Sequence, residues 1–172
     1  MNRFADYFSN YVNDDTITYI GNGDITSFTV SRQDRELAIG LNLESFIDYG
    51  IVENSQNQIA RAMELKKVHI NPRFPKSEFS LDNIERILEY VRHESPAANG
   101  FFDGCEAELE DRTLTLCLKK GGKDVLESQK VDRAIANKIY ELFDLDFVVI
   151  FLEVQAFDIE KAVQKAVEER RA

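Results

Sequence analysis

Apolar and polar residues alternate most clearly between Cys105 and Leu118. Cys105, Ala107 and Leu109 interleave with Glu106 and Glu108, and Leu114, Leu116 and Leu118 interleave with Thr113, Thr115 and Cys117. A period of two is that of a strand with one buried face. Glu110, Asp111 and Arg112 make a short polar turn between the two runs. The pattern predicts a hairpin with Cys105, Ala107 and Leu109 on the same face as the leucines. Beyond Lys119 to Asp124 the period changes. Val131, Ile135, Ile139 and Leu142 recur at helical spacing, with Lys130, Arg133, Asn137 and Lys138 off the stripe. Phe147 to Leu152 is a continuous apolar run, which predicts a central strand buried on both faces.

The same order occurs earlier. Phe28 and Val30 alternate toward a polar turn, and Leu37, Ile39, Leu41 and Leu43 follow it. Asp34-Arg35 precedes this run as Asp111-Arg112 precedes the leucines. Ile59, Ala60 and Met63 match Ile135, Ala136 and Ile139, and a strand from Lys67 to Ile70 closes the unit. The chain therefore reads as an α+β protein of two strand-strand-helix-strand units, each with extra helices. The units are expected over 1–78 and 79–157, with 158–172 a C-terminal helix leading to the rest of a longer chain.

The remaining patterns fill in this frame. Phe4, Tyr7, Phe8 and Tyr11 form one helical stripe, and 13–22 reads as polar loop. Pro72 and Pro75 break the chain where the first unit should end. Ser80 is placed to cap a helix with Leu81, Ile84, Ile87, Leu88 and Val91 buried, stopped by Pro96. Asp158 is placed to cap the last helix, lined by Ile159, Ala162, Val163, Ala166 and Val167.

Composition narrows the functional classes. There are 31 acidic and 21 basic residues, a net charge of −10, which argues against a surface that grips a phosphate backbone throughout. No apolar run reaches membrane-spanning length, so no membrane partner is expected. Cys105 and Cys117 fall on opposite hairpin faces, which disfavours a disulfide between them and suggests reduced thiols and a cytoplasmic setting. His69 and His93 lack partners at ligand spacing. The sequence offers no catalytic nucleophile motif, phosphate loop or metal motif. The pairs Glu106/Glu108 and Asp144/Asp146 read as solvated faces.

Two local features bear on binding. Lys119, Lys120, Gly121, Gly122 and Lys123 combine cations with glycines that let backbone amides approach a phosphate. A glycine-rich loop on a small α+β unit resembles the KH module, a binder of single-stranded nucleic acid, although Gly-x-x-Gly is absent. Lys66, Lys67, Arg73 and Lys76 form a second basic group. Phe101 and Phe102 are the candidate exposed apolar patch for a partner.

Taken whole, residues 1–157 resemble the N-terminal region of PolC-type DNA polymerase III alpha subunits in their clostridial form. The resemblance is carried by Asn2 to Phe8, Phe28 to Leu41, Leu65 to Ile70, Leu114 to Leu118, and Ile139 to Phe143 ahead of Phe147 to Phe151. It implies a non-catalytic N-terminal module with a KH-like part, contacting replisome proteins such as the clamp-loader tau subunit. The polymerase and 3′–5′ exonuclease carboxylates and their Mg2+ would lie in the rest of the parent chain. The alternative is a small KH-like protein that binds single-stranded nucleic acid, single-stranded DNA being a candidate partner.

Overall fold

The computed structural model describes residues 2–153 and 165–171. The fold is α+β, with two three-stranded sheets and helices in each unit. The chain divides into two compact units. One comprises 1–80 with 140–145, the other 81–139 with the described residues from Asp146 on.

The first unit opens with α1 (Phe4–Phe8) and α2 (Asp14–Ile20), followed by β1 (Asp24–Ser31), β2 (Glu36–Asn42), α3 (Tyr49–Ala62) and β3 (Lys67–Arg73). β1 pairs antiparallel with β2, and β3 lies parallel on the other side of β2. A parallel neighbour needs a crossover, and α3 supplies it. Leu37, Ile39 and Leu41 of β2 are buried together with Val68, Ile70 and Pro72 of β3. The strand extends through Pro72, past the expected end at Ile70. An edge strand tolerates this, because proline there removes no ladder hydrogen bond to a further strand.

The second unit repeats the plan. After a 3-10 turn, Leu81–Asn83, come α4 (Ile84–Arg92), β4 (Glu106–Glu110), β5 (Thr113–Leu118), α5 (Lys123–Ser128), α6 (Val131–Phe143) and β6 (Val148–Glu153). β4 and β5 form the hairpin with Ala107 opposite Leu116 and Leu109 opposite Leu114, and β6 runs parallel to β5. Leu114, Leu116, Leu118, Ile135 and Ile139 are fully buried, as their periodicities require.

The arginine of the Asp-Arg pair that recurs in the sequence has a physical role. The Arg35 carbonyl accepts the N–H groups of Lys66 and Lys67, and the Arg112 carbonyl accepts that of Val148 at 2.8 Å. The two guanidinium groups reach the same loop, Arg35 donating to the Glu64 carbonyl and Arg112 to the Asp146 carbonyl and carboxylate. Each hairpin turn is thus tied to the start of the third strand. Glu64 and Asp144, with φ of 54° and 56°, end α3 and α6 in left-handed conformations. Counted back from them, Ile59 corresponds to Ile139, not to Ile135 as the sequence match suggested.

Several expectations need correction. Residues 14–20 are helical, not loop: the Asn13 side chain accepts the Thr16 N–H at 2.9 Å, with Asp14 and Asp15 in the first turn. In the N-terminal stripe Phe4 and Phe8 are buried, but Tyr7, within α1, and Tyr11, beyond its end, are exposed. The helical stretch after Ser80 opens as a 3-10 turn, Leu81–Asn83, and becomes α-helical only from Ile84. Lys138 is buried, its ammonium 2.6 Å from Glu94. Asp158, Ile159, Ala162 and Val163 lie outside the described residues, while 165–171 are helical, with Val167 exposed.

Phe143, at the end of α6, belongs to the first unit and is fully buried. Its ring lies 5.7 Å from those of Phe46 and Phe74 and 5.5 Å from that of Phe79, and the Phe74 N–H donates to the Leu142 carbonyl at 2.6 Å. Phe143→Ala is expected to cost about 3–5 kcal/mol, the usual penalty for deleting a core phenylalanine. Urea denaturation checks the magnitude. NMR shifts at Phe46 and Phe74 check that the loss is felt in the first unit.

Candidate functional site

The continuous apolar run that predicted a central strand forms an edge strand instead. In the order β4-β5-β6, β6 has a neighbour on one side only among the described residues. Val149 and Phe151 are buried, but Val148, Ile150 and Leu152 are 61%, 42% and 47% exposed. The parity explains this. Val149 and Phe151 sit beside Leu114 and Leu116 on the inner face, and the other three residues fall on the outer face.

The register assembles that outer face in rows. Val148 lies beside Thr113 and Glu110, Ile150 beside Thr115 and Glu108, and Leu152 beside Cys117 and Glu106. An aliphatic ladder on β6 and an acidic ladder on β4 therefore flank a middle ladder of small side chains. Lys119 pairs with Glu106 at 3.1 Å. Glu108 and Glu110 are exposed and form no ion pair among the described residues.

The first unit shows what an ordinary solvated version of this face looks like. Lys67 and Val148 stand at equivalent places, each donating to its hairpin arginine's carbonyl. The exposed positions along β3 are Lys67, His69, Asn71 and Arg73, where β6 carries Val148, Ile150 and Leu152. The fold thus does not require aliphatic residues there. Covering the three would gain several kcal/mol at about 25 cal/mol per Å² of apolar surface, and such patches mark places where something docks.

The residues singled out from the sequence lie in the loop before β4 and around the turn from β5 into α5. Gly121 and Gly122 adopt φ of 70° and 95°, which only glycine takes readily, and turn β5 into α5. A Cβ on Gly122 would lie within 2.3 Å of two Phe101 ring atoms. Phe101 is half-buried, and Phe102 is fully buried against Phe151 at 6.1 Å between ring centres. The expected exposed Phe101–Phe102 patch is therefore corrected: with Phe102 in the core, the pair presents no such surface.

The three lysines of the loop all face carboxylates. Lys119 meets Glu106, Lys120 meets Asp103 at 3.2 Å, and Lys123 meets Glu127 at 3.9 Å. The backbone N–H of Lys123 donates to Glu153 at 2.8 Å, so a carboxylate of the chain itself occupies the amide end of the turn. In the second basic group Lys76 pairs with Asp144. Lys67 and Arg73 are exposed on β3 and form no ion pair among the described residues.

A cleft of about 320 Å³ is lined by Glu85, Arg86, Glu89, Arg92, Asp103 and Gly104. Its main cation is already engaged, with Arg92 2.6 Å from Glu89 and 3.7 Å from Asp103. No group of three or more His, Cys, Asp or Glu side chains suited to a metal occurs among the described residues. No described helix is long and apolar enough to cross a membrane. Both cysteines are free thiols. Burial pushes the Cys105 thiol up to about 11, with Cys117, Glu85 and Glu106 adding to the rise and Lys119 opposing it.

Two outcomes are expected. Gly122→Ala should destabilise by about 2–4 kcal/mol, combining the left-handed backbone with displacement of Phe101, as read from the urea midpoint. The folded Cys105 thiol keeps its proton where an unfolded one, near pH 9, loses it. Its contribution to stability is complete below pH 9 and falls away as pH rises toward about 11. Melts of the wild type and Cys105→Ala at pH 7 and pH 10 test this, the variant showing the smaller loss. No protein-family model matches the chain, and no curated protein matches it.

Proposed function

We propose that this chain is a non-catalytic interaction module of a PolC-type replicative DNA polymerase. It binds replisome protein, the clamp-loader tau subunit being the first candidate, through the outer face of the second sheet. The observation that carries the protein-binding reading is the exposed ladder of Val148, Ile150 and Leu152, set where the first unit has Lys67, His69 and Asn71. The polymerase assignment rests on the residue patterns from Phe28 to Leu41 and from Phe147 to Phe151. In this reading the reaction and its Mg2+ belong to the parent polymerase. Lys119, Lys120 and Lys123, each beside a carboxylate, support a protein partner over a DNA partner at that loop.

One observation favours a second reading, a small KH-like binder of single-stranded nucleic acid. Lys67, His69 and Arg73 share one exposed strand face, and Lys67 and Arg73 form no ion pair among the described residues. Contact through them would be electrostatic and would weaken steeply with salt.

A single comparison separates the two. Purified tau and a fluorescent single-stranded oligonucleotide are each titrated against the chain. The expected result is tau binding that Ile150→Asp weakens about tenfold or more, since a docked aliphatic side chain is worth at least that. Lys120→Glu should leave it unchanged. Absence of tau binding, with salt-sensitive oligonucleotide binding lost in Lys67→Glu/Arg73→Glu, would replace the first reading by the second.

A further inference from the structure

We infer that the outer face of the second sheet receives a basic amphipathic helix of a partner protein, lying along β5. The inference deepens the reading of the chain as a protein-interaction module and rests on it. Three features of the face select this occupant. The first is width. Neighbouring strands are about 4.8 Å apart, so the acidic ladder of β4 and the aliphatic ladder of β6 lie about 10 Å from each other. A helix with its side chains is about 10 Å across and spans both. The second is relief. The residues between the ladders are Thr113, Thr115 and Cys117, shorter than the flanking glutamates and aliphatics, and they floor a shallow trough.

The third feature is charge and its spacing. Glu106, Glu108 and Glu110 recur every second strand residue, about 6.7 Å apart. Lysines or arginines at every fourth helical position are about 6 Å apart and stay on one side of the helix. A helix with an aliphatic stripe and such a basic flank therefore meets Val148, Ile150 and Leu152 on one side and the glutamates on the other. Lys119 displays the contact within the chain, its ammonium 3.1 Å from Glu106. Glu108 and Glu110 are the carboxylates left for the partner. A strand added to the free edge of β6 would pair with backbone groups but would not reach β4, so it would use neither glutamate.

The test uses the full chain and a labelled synthetic helix of about 18 residues, long enough to hold its fold. The helix has leucines on one stripe and lysines at every fourth position of one flank. A twin peptide carries glutamates in place of the lysines. The lysine peptide is expected to bind. Ile150→Asp should weaken binding about tenfold or more. Glu108→Lys/Glu110→Lys should weaken the lysine peptide and strengthen the glutamate peptide. The paired charge reversal lies on exposed positions and keeps the test open should Ile150→Asp disturb folding. Equal binding of both peptides, binding that survives both variants, or failure of the lysine peptide to bind would overturn the inference. So would a doubling of molecular mass abolished by Ile150→Asp, which would give the face to a second copy. If Ile150→Asp weakens tau binding and the charge reversal does not, the helix inference fails and the module reading stands. If the lysine peptide binds with the expected charge swap and tau does not bind at all, the surface stands and the replisome partner falls.

Discussion

A three-stranded sheet has two faces, and each unit of this protein buries only one of them. The middle strands set the arrangement. Leu37, Ile39 and Leu41 on β2, and Leu114, Leu116 and Leu118 on β5, all point inward and are almost wholly removed from water. A strand cannot turn one residue over without turning its neighbours, because successive side chains alternate faces. Once the leucines are inside, the residues beside them in the register are committed. Val68, Ile70, Val149 and Phe151 must be inner, and Lys67, His69, Val148 and Ile150 must be outer. The character of the outer face is then free to differ between units, and it does.

The parts that hold the third strand in place show why the repeat persists in so few residues. In each unit an arginine at the hairpin turn binds the helix-to-strand loop with its side chain and the third strand with its carbonyl. The ion pair of Arg112 with Asp146 is exposed and worth little alone. The carbonyl contacts matter more, because they start the parallel pairing that the crossover helix must deliver. This gives the recurring arginine a physical cause, whereas the helix residues between vary with what each must cover. Ser55 and Ile59 in α3 stand where Ile135 and Ile139 stand in α6, so even the buried stripe is not copied.

The hairpins and the longer helices were legible because their periods of two and 3.6 are fixed by backbone geometry. The fold class followed from their order. What stayed hidden has identifiable reasons. An apolar run such as Phe147 to Leu152 states that its residues avoid polarity, not that a strand lies on each side, so the exposed face of β6 could not be read from it. The helix after Asn13 is hidden in the sequence because its core contribution is small, although Asn13 with two following aspartates is a start signal. Phe143 sits on the stripe side of α6, yet the burial partners that explain it are Phe46, Phe74 and Phe79, far away in sequence. Phe101 and Phe102 looked like a surface patch because aromatic neighbours in a loop carry no period. The glycines beside them look like a phosphate cradle for a related reason: left-handed φ serves a tight turn and an anion site equally well. What the structure adds at this turn is a carboxylate beside each of Lys119, Lys120 and Lys123.

An exposed aliphatic edge strand is a hazard, since its free backbone groups and apolar side chains invite pairing with another chain. The layout of the second sheet limits that hazard without removing the surface. Glu106, Glu108 and Glu110 place a line of negative charge across the face from the aliphatic ladder, and the chain as a whole carries a net charge of −10. A second copy stacked face to face on this surface with its β4 over β4 would bring glutamates toward glutamates, which is unfavourable at short range. A partner with cations on the matching flank meets no such penalty. The same three carboxylates that discourage self-association therefore supply the discrimination, and the aliphatic ladder supplies the contact area. Specificity built in this way needs both a repelled and an attracted partner. It depends on the register that sets Glu108, Thr115 and Ile150 in one row.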